Sequence, residues 1–106
     1  MQKYNKLVRD NIPDIIRSNG ERPVTRKLSV TEYKKELLKK LQEEAKEVAH
    51  AKGKQEVTKE LSDVQEVLIA IYKAFNIAYG DVTKIARKRR KERGAFTKKI
   101  FLERTE

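Results

Sequence analysis

The chain has 106 residues, of which 38% are hydrophobic and 40% are charged, and its formal net charge is +10. This length suits a single domain spanning residues 1–106, but so few apolar residues would give a monomer only a small core. The sequence contains no cysteine, which excludes disulfides and thiolate metal sites, and no apolar run approaches the length of a membrane span. We therefore expect a cytoplasmic protein that does not bind membranes.

The first half of the chain predicts two helices. Pro13 suits the first turn of a short helix that stops near residues 19–20, an Asn-Gly pair. Residues 21–28 are expected to form an extended connection. A capping box of the form Ser-x-x-Glu occupies residues 29–32 and predicts a second helix over residues 30–51.

The second half predicts two more helices. A Lys-Gly-Lys break at residues 52–54 separates the second helix from a third one over residues 55–76. Asp81 favours the start of a fourth helix that ends at Gly94. Residues 96–102 alternate weakly and favour an extended segment. We expect an all-α fold, a four- to five-helix bundle built around an antiparallel hairpin of the second and third helices.

Two acidic motifs lie within the predicted hairpin. The second helix carries Glu43, Glu44 and Glu47, and the third carries Glu60 and Asp63. If the chain turns back at the break, residues equally far from it come level, so that Glu44 faces Asp63 and Glu47 faces Glu60. Glu44 also falls within the apolar stripe of its helix, where an unpaired carboxylate costs several kcal/mol. A cation held between the four acids would remove that cost.

The residue types restrict which cation could bind. The chain has no cysteine and a single histidine, His50, which is expected to be an ordinary polar residue. Oxygen ligands alone favour a hard cation, Mg²⁺ or Mn²⁺. Mg²⁺ commonly joins one or two carboxylates to substrate phosphates, as phosphoryl and nucleotidyl chemistry requires. A buried salt bridge between Glu44 and a lysine is the structural alternative.

The charge is unevenly distributed along the chain. Residues 84–106 carry a formal charge of +7, whereas residues 42–66 carry −3. This asymmetry suggests an anionic partner. A nucleic acid could bind the basic run at residues 87–93, but that interpretation leaves Glu44 unexplained. Next to an acidic metal site, the same basic residues would bind the oxygens of a polyphosphate.

The motifs resemble those of a known superfamily. Glu43-Glu44-Ala45-Lys46-Glu47 and Glu60-Leu61-Ser62-Asp63 are similar to the E-E-x-x-E and E-x-x-D signature of the all-alpha nucleoside triphosphate pyrophosphohydrolases, which include MazG and the phosphoribosyl-ATP pyrophosphohydrolases. Residues 4–13 resemble the start of a stand-alone subgroup described as predicted house-cleaning enzymes. Residues 91–96 resemble its K-x-R-G-G-F block. The chain departs from that subgroup at residue 11, which is Asn instead of Lys, and at residue 95, which is Ala instead of Gly.

The resemblance implies an enzyme and a set of site residues. The expected activity is Mg²⁺-dependent hydrolysis of a nucleotide between its α and β phosphates, giving a nucleoside monophosphate and pyrophosphate, by a homodimer or higher homo-oligomer. The implied metal ligands are Glu44, Glu47, Glu60 and Asp63. Glu43, next to Glu44, would act in catalysis by orienting the attacking water. The implied phosphate-binding residues are Lys6, Arg9, Lys88, Lys91 and Arg93.

Two other functions stay open at this point. The chain could be a basic helical module that binds nucleic acid, although a nucleic acid is not the expected partner. It could also be a family member that has lost activity and acts as a binding protein. The four implied ligand positions are intact, which argues against such a loss.

Overall fold

The computed structural model describes residues 2–106, and all regular secondary structure among them is α-helical. The helices are α1 (Ile12–Ser18), α2 (Val30–His50), α3 (Gly53–Ala74) and α4 (Tyr79–Arg93). The all-α prediction is confirmed, and each helix begins and ends within two residues of its predicted bounds. Residues 96–102 form no strand. Within the described part of the chain, no helix has both the length and the apolarity of a membrane span.

The predicted capping box fixes the start of α2. The backbone N–H of Glu32 donates to Ser29 Oγ, and the backbone N–H of Ser29 donates to Glu32 Oε1, both at 3.2 Å. Arg26 Nη2 also lies 3.1 Å from Glu32 Oε2. The hydrogen bond from Arg26, followed by those from Ser29, lowers the pKa of Glu32 from 4.5 to about 2. The first turn of α2 is therefore held by interactions with an ionised carboxylate.

A short turn joins α2 and α3 into the predicted hairpin. The backbones of Ala51 and Lys52 are extended. Gly53 has a φ of 79°, a backbone conformation that residues with a Cβ rarely adopt. Helix–helix contacts within this part of the chain are concentrated between α2 and α3. Leu37 of α2 and Ile71 of α3 are buried with 3% and 8% exposure. The two helices are therefore antiparallel and share a narrow apolar core.

The chain divides into two compact units, one ending at Asn76 and the other comprising Ile77–Glu106. The first unit contains α1 and the hairpin, and thus both acidic motifs. The second contains α4, whose C-cap is the predicted Gly94 with a φ of 85°. The organisation of residues 1–106 as one domain stays a prediction.

Candidate metal centre

Three carboxylates from the facing helices of the hairpin converge. Glu44 of α2 and Glu60 and Asp63 of α3 each offer one oxygen, and these oxygens lie within 4.8 Å of one another. All three side chains are half-buried. Glu60 and Asp63 are three residues apart and therefore share one side of α3. The antiparallel register places Glu44 opposite them. The structure thus brings together three of the four acids that the sequence suggested as metal ligands.

The fourth acid lies differently. Glu47 is exposed and does not belong to the group of three. Around the axis of α2, Glu47 lies about 60° farther from the apolar stripe than Glu44, since the two are three residues apart. The helical geometry therefore favours Glu44 as the α2 residue that faces α3. The role of Glu47 as a metal ligand stays a prediction.

A lysine accompanies the glutamates of α2. Lys40 Nζ lies 3.6 Å from Glu43 Oε2 and 3.8 Å from Glu44 Oε1. The side chains of Lys40 and Glu44 are only 18% and 17% exposed, so little water screens this pair. Glu44 therefore has the lysine partner that was predicted as an alternative to a metal site, and it also belongs to the group of three carboxylates. Lys40 was not among the predicted residues, although its spacing of three and four residues from the two glutamates is the usual spacing of helical ion pairs.

An arginine from the segment before α1 contacts the same group. Arg9 Nη2 donates a hydrogen bond of 2.8 Å to Asp63 Oδ1, and the two side chains are 57% and 33% exposed. Arg9 was expected to hold a phosphate, and in the structure it holds a carboxylate that was expected to bind the metal. No spacing rule could have predicted this pair, because its members are 54 residues apart.

The charges and distances fit a divalent cation. With Glu43 included, the acids of the site have a formal charge of −4, and Arg9 and Lys40 supply two formal positive charges. Oxygens that bind Mg²⁺ lie at 2.0–2.1 Å from it, so they are about 2.9 Å apart when adjacent and about 4.1 Å apart when opposite. At least two of the three oxygen pairs would be adjacent, so a pair at the 4.8 Å limit would have to shorten by about 1.9 Å. An oxygen-only donor set of this size suits Mg²⁺ or Mn²⁺.

The other predicted residues lie at exposed positions. Lys6 is exposed, and its Nζ lies 5.7 Å from the centre of the Tyr4 ring. The three remaining basic residues lie in the second unit as exposed residues of α4, namely Lys88, Lys91 and Arg93.

His50 has a local role. Its Nδ1 lies 2.8 Å from the backbone oxygen of Lys46, one turn earlier in α2. This contact is consistent with the ordinary polar role expected for His50.

Comparison with known protein families gives an independent observation. Residues 13–91 match the family model described as phosphoribosyl-ATP pyrophosphohydrolase. The match covers about three quarters of the chain and includes both acidic motifs. Lys6, Arg9 and Arg93 lie outside it. No protein of curated function and no solved structure matched the chain.

Proposed function

The chain belongs to the phosphoribosyl-ATP pyrophosphohydrolase family, and from this membership we propose that it is a Mg²⁺-dependent cytoplasmic enzyme that cleaves nucleotides between the α and β phosphates. The membership confirms the superfamily predicted from the acidic motifs, and it implies a pyrophosphohydrolase that acts on phosphoric anhydride bonds. The proposed products are a nucleoside monophosphate and pyrophosphate.

The observation that supports this proposal most strongly is the convergence of Glu44, Glu60 and Asp63 within the matched part of the chain. Carboxylates at such distances repel one another unless positive charge lies among them. Arg9 and Lys40 offset part of the negative charge, and a divalent cation would offset the rest. An acidic surface that binds no ligand would not explain why these carboxylates are half-buried and belong to the two acidic motifs of the family.

Each residue has a proposed role in the reaction. Glu44, Glu60 and Asp63 would hold the cation, with Glu47 as a fourth ligand by family resemblance. When bound, Mg²⁺ lowers the pKa of a coordinated water and thereby supplies a hydroxide near neutral pH. Glu43, whose side chain is 39% exposed, would orient the attacking water.

The basic residues would act on the phosphates. The attacking water would add its oxygen to the α phosphorus, in line with the leaving group. The bond from the α phosphorus to the bridging oxygen would break, and pyrophosphate would be released. Positively charged side chains stabilise the charge that develops on the leaving group. The residues proposed for this role are Lys6, Arg9, Lys88, Lys91 and Arg93.

The proposed substrate class is nucleoside triphosphates, including non-standard ones that a house-cleaning enzyme would remove. Phosphoribosyl-ATP, the compound in the family's description, contains the same triphosphate chain as ATP. Cleavage between its α and β phosphates would therefore also release pyrophosphate. The reaction and the acidic site are common to both possibilities, and the group attached to the base distinguishes them.

We also propose that the protein forms a homodimer or a higher homo-oligomer. Within the hairpin, Leu38, Leu61 and Ile69 are 47%, 50% and 39% exposed. By helical position, all three lie on the sides of α2 and α3 away from the acids. A second copy covering these residues would extend a core whose buried hydrophobic members, among the described residues, are Leu37 and Ile71.

The activity is tested by measuring pyrophosphate release from a panel of standard nucleotides, damaged nucleotides and phosphoribosyl-ATP. We expect release with Mg²⁺ or Mn²⁺, no release with EDTA, and no release by Asp63→Asn. Glu66→Gln is the matched control, because Glu66 is an exposed acid of α3 outside the carboxylate group. Absence of release across the panel would favour a silent binding protein. Nucleic-acid binding that survives Asp63→Asn, without turnover, would favour the basic-module alternative.

The proposed oligomer is tested by sedimentation at micromolar concentration. The wild type should sediment as a dimer or larger species, and Leu61→Glu should shift it towards the monomer because it places a charge in the apolar surface. A monomeric wild type would contradict the proposal.

A further inference from the structure

The two basic side chains that contact the acids of the site, Lys40 and Arg9, differ in how firmly the structure holds them. Lys40 lies on the same helix as its partners, and its side chain is 18% exposed. Arg9 comes from another part of the chain, and its side chain is 57% exposed. The backbone around Arg9 is anchored, since Leu7 and Val8 are half-buried and the N–H of Ile12 donates to the Arg9 oxygen at 3.1 Å. The Arg9 side chain can therefore move while its backbone stays in place.

The guanidinium of Arg9 and a divalent cation would both bind the carboxylate of Asp63. Arg9 Nη2 uses Asp63 Oδ1 as its acceptor, at 2.8 Å. A Mg²⁺ ion held by Glu44, Glu60 and Asp63 would lie 2.0–2.1 Å from an oxygen of the same Asp63 carboxylate. Positive charges at such a short separation repel each other strongly where water is partly excluded.

We propose that Arg9 and the divalent cation compete for Asp63, and that cation binding transfers the Arg9 guanidinium to the phosphates of the nucleotide. This inference rests on the proposed function. Guanidinium groups bind phosphate as readily as carboxylate, through paired N–H donors. Arg9 thus acts first as a counter-ion of the acidic site and then as a phosphate ligand. The metal and the phosphates consequently bind with positive coupling.

The test measures binding of Mn²⁺ and inorganic pyrophosphate to the full chain by calorimetry, after removal of metal with EDTA. Arg9→Gln should bind Mn²⁺ about three- to fivefold more tightly than the wild type, because no surface ion pair has to be broken. It should bind pyrophosphate about tenfold more weakly when loaded with Mn²⁺, because a charged hydrogen-bond donor is lost. The matched control, Lys3→Gln, removes the same charge from the same exposed segment and should change either affinity by less than about twofold.

Arg9→Lys provides a second variant that keeps the charge but not the forked donor. Its affinities should lie between those of the wild type and Arg9→Gln, and it serves as the test if Arg9→Gln does not fold. Equal or weaker Mn²⁺ binding by the Arg9 variants would overturn the proposal, since Arg9 would then remain on one oxygen while the metal takes another. Equal effects of Lys3→Gln and Arg9→Gln would also overturn it, because net charge alone would explain them.

The two proposals fail in distinguishable ways. A wild type that binds no Mn²⁺ and releases no pyrophosphate would remove the metal site and this inference together. A wild type that binds Mn²⁺ and releases pyrophosphate, while Arg9→Gln binds Mn²⁺ no better, would overturn the competition and leave the activity intact.

Discussion

Replacing Glu44 by Gln should stabilise the protein when no divalent cation is available. Glu44 is one of three carboxylates whose nearest oxygens lie within 4.8 Å of one another. Two unit charges at that separation repel by about 0.9 kcal/mol in water, so removing Glu44 from both of its pairs relieves about 1.7 kcal/mol. The substitution also removes the ion pair with Lys40, which at 3.8 Å stabilises by about 1.1 kcal/mol on the same scale. The expected net gain in the free energy of unfolding is therefore about 0.6 kcal/mol.

The assay is thermal unfolding followed by circular dichroism, first in EDTA and then in excess Mn²⁺. In EDTA, Glu44→Gln should melt about 3 °C above the wild type. When Mn²⁺ is present at about 100 times its dissociation constant, the free energy of unfolding of the wild type should rise by about 2.7 kcal/mol. That of the variant should rise far less. The order of stability should thus reverse between the two conditions, which is the trade-off expected of a functional site.

Glu66→Gln is the control for both conditions and should melt with the wild type, because Glu66 is exposed and lies outside the group. A Glu44→Gln protein that is less stable than the wild type in EDTA would refute the reasoning. It would mean that the pair with Lys40 outweighs the repulsion and that the acids form a structural ion-pair cluster.

Three further substitutions test the fold and the boundary of the site. Leu37→Ala should lower the free energy of unfolding by about 2–5 kcal/mol in urea denaturation, because Leu37 is 3% exposed, whereas Val30→Ala, at a position 70% exposed and outside the proposed dimer surface, should change it by at most about 0.5 kcal/mol. The lowered pKa of Glu32 means that its stabilisation is fully present above pH 4.5 and is lost as the pH falls towards 2; the difference in helicity between the wild type and Glu32→Gln should shrink over that range. Glu47→Gln should weaken Mn²⁺ binding less than Asp63→Asn in calorimetry, because Glu47 is the exposed member of the proposed ligand set and lies outside the group of three, and an equal loss would show that it holds the metal as strongly as Asp63.

The bounds of the helices were predictable because local chemistry determines them. The capping box at Ser29 and Glu32 forms in the structure with both of its hydrogen bonds, and the glycines at positions 20, 53 and 94 all adopt positive φ values at helix ends or turns. The hairpin followed from the break near Gly53, since a two-residue link leaves antiparallel packing as the simplest arrangement. The division of the chain at Asn76 was not predicted, although the formal charge changes from −3 over residues 42–66 to +7 over residues 84–106.

The acidic group was predictable only in part. Helical periodicity and the hairpin register were enough to bring Glu44, Glu60 and Asp63 together. The hairpin register alone treated Glu44 and Glu47 alike, whereas the helical angle, which places Glu44 in the apolar stripe and Glu47 about 60° farther from it, favoured Glu44. The contact between Arg9 and Asp63 depends on the path of the chain before α1, and no local pattern in the sequence determines that path.

The overall charge indicates in what form the substrate would arrive. A free divalent cation approaches a protein whose formal net charge is +10, which opposes binding even though the carboxylate group attracts it. A nucleoside triphosphate that already carries Mg²⁺ retains net negative charge, so the same field attracts it. If Arg9 leaves Asp63 as the metal binds, the complex would meet a site with one carboxylate free for the metal and one guanidinium free for the phosphates. The excess of basic residues and the competition at Asp63 would then favour the metal–nucleotide complex over either component alone.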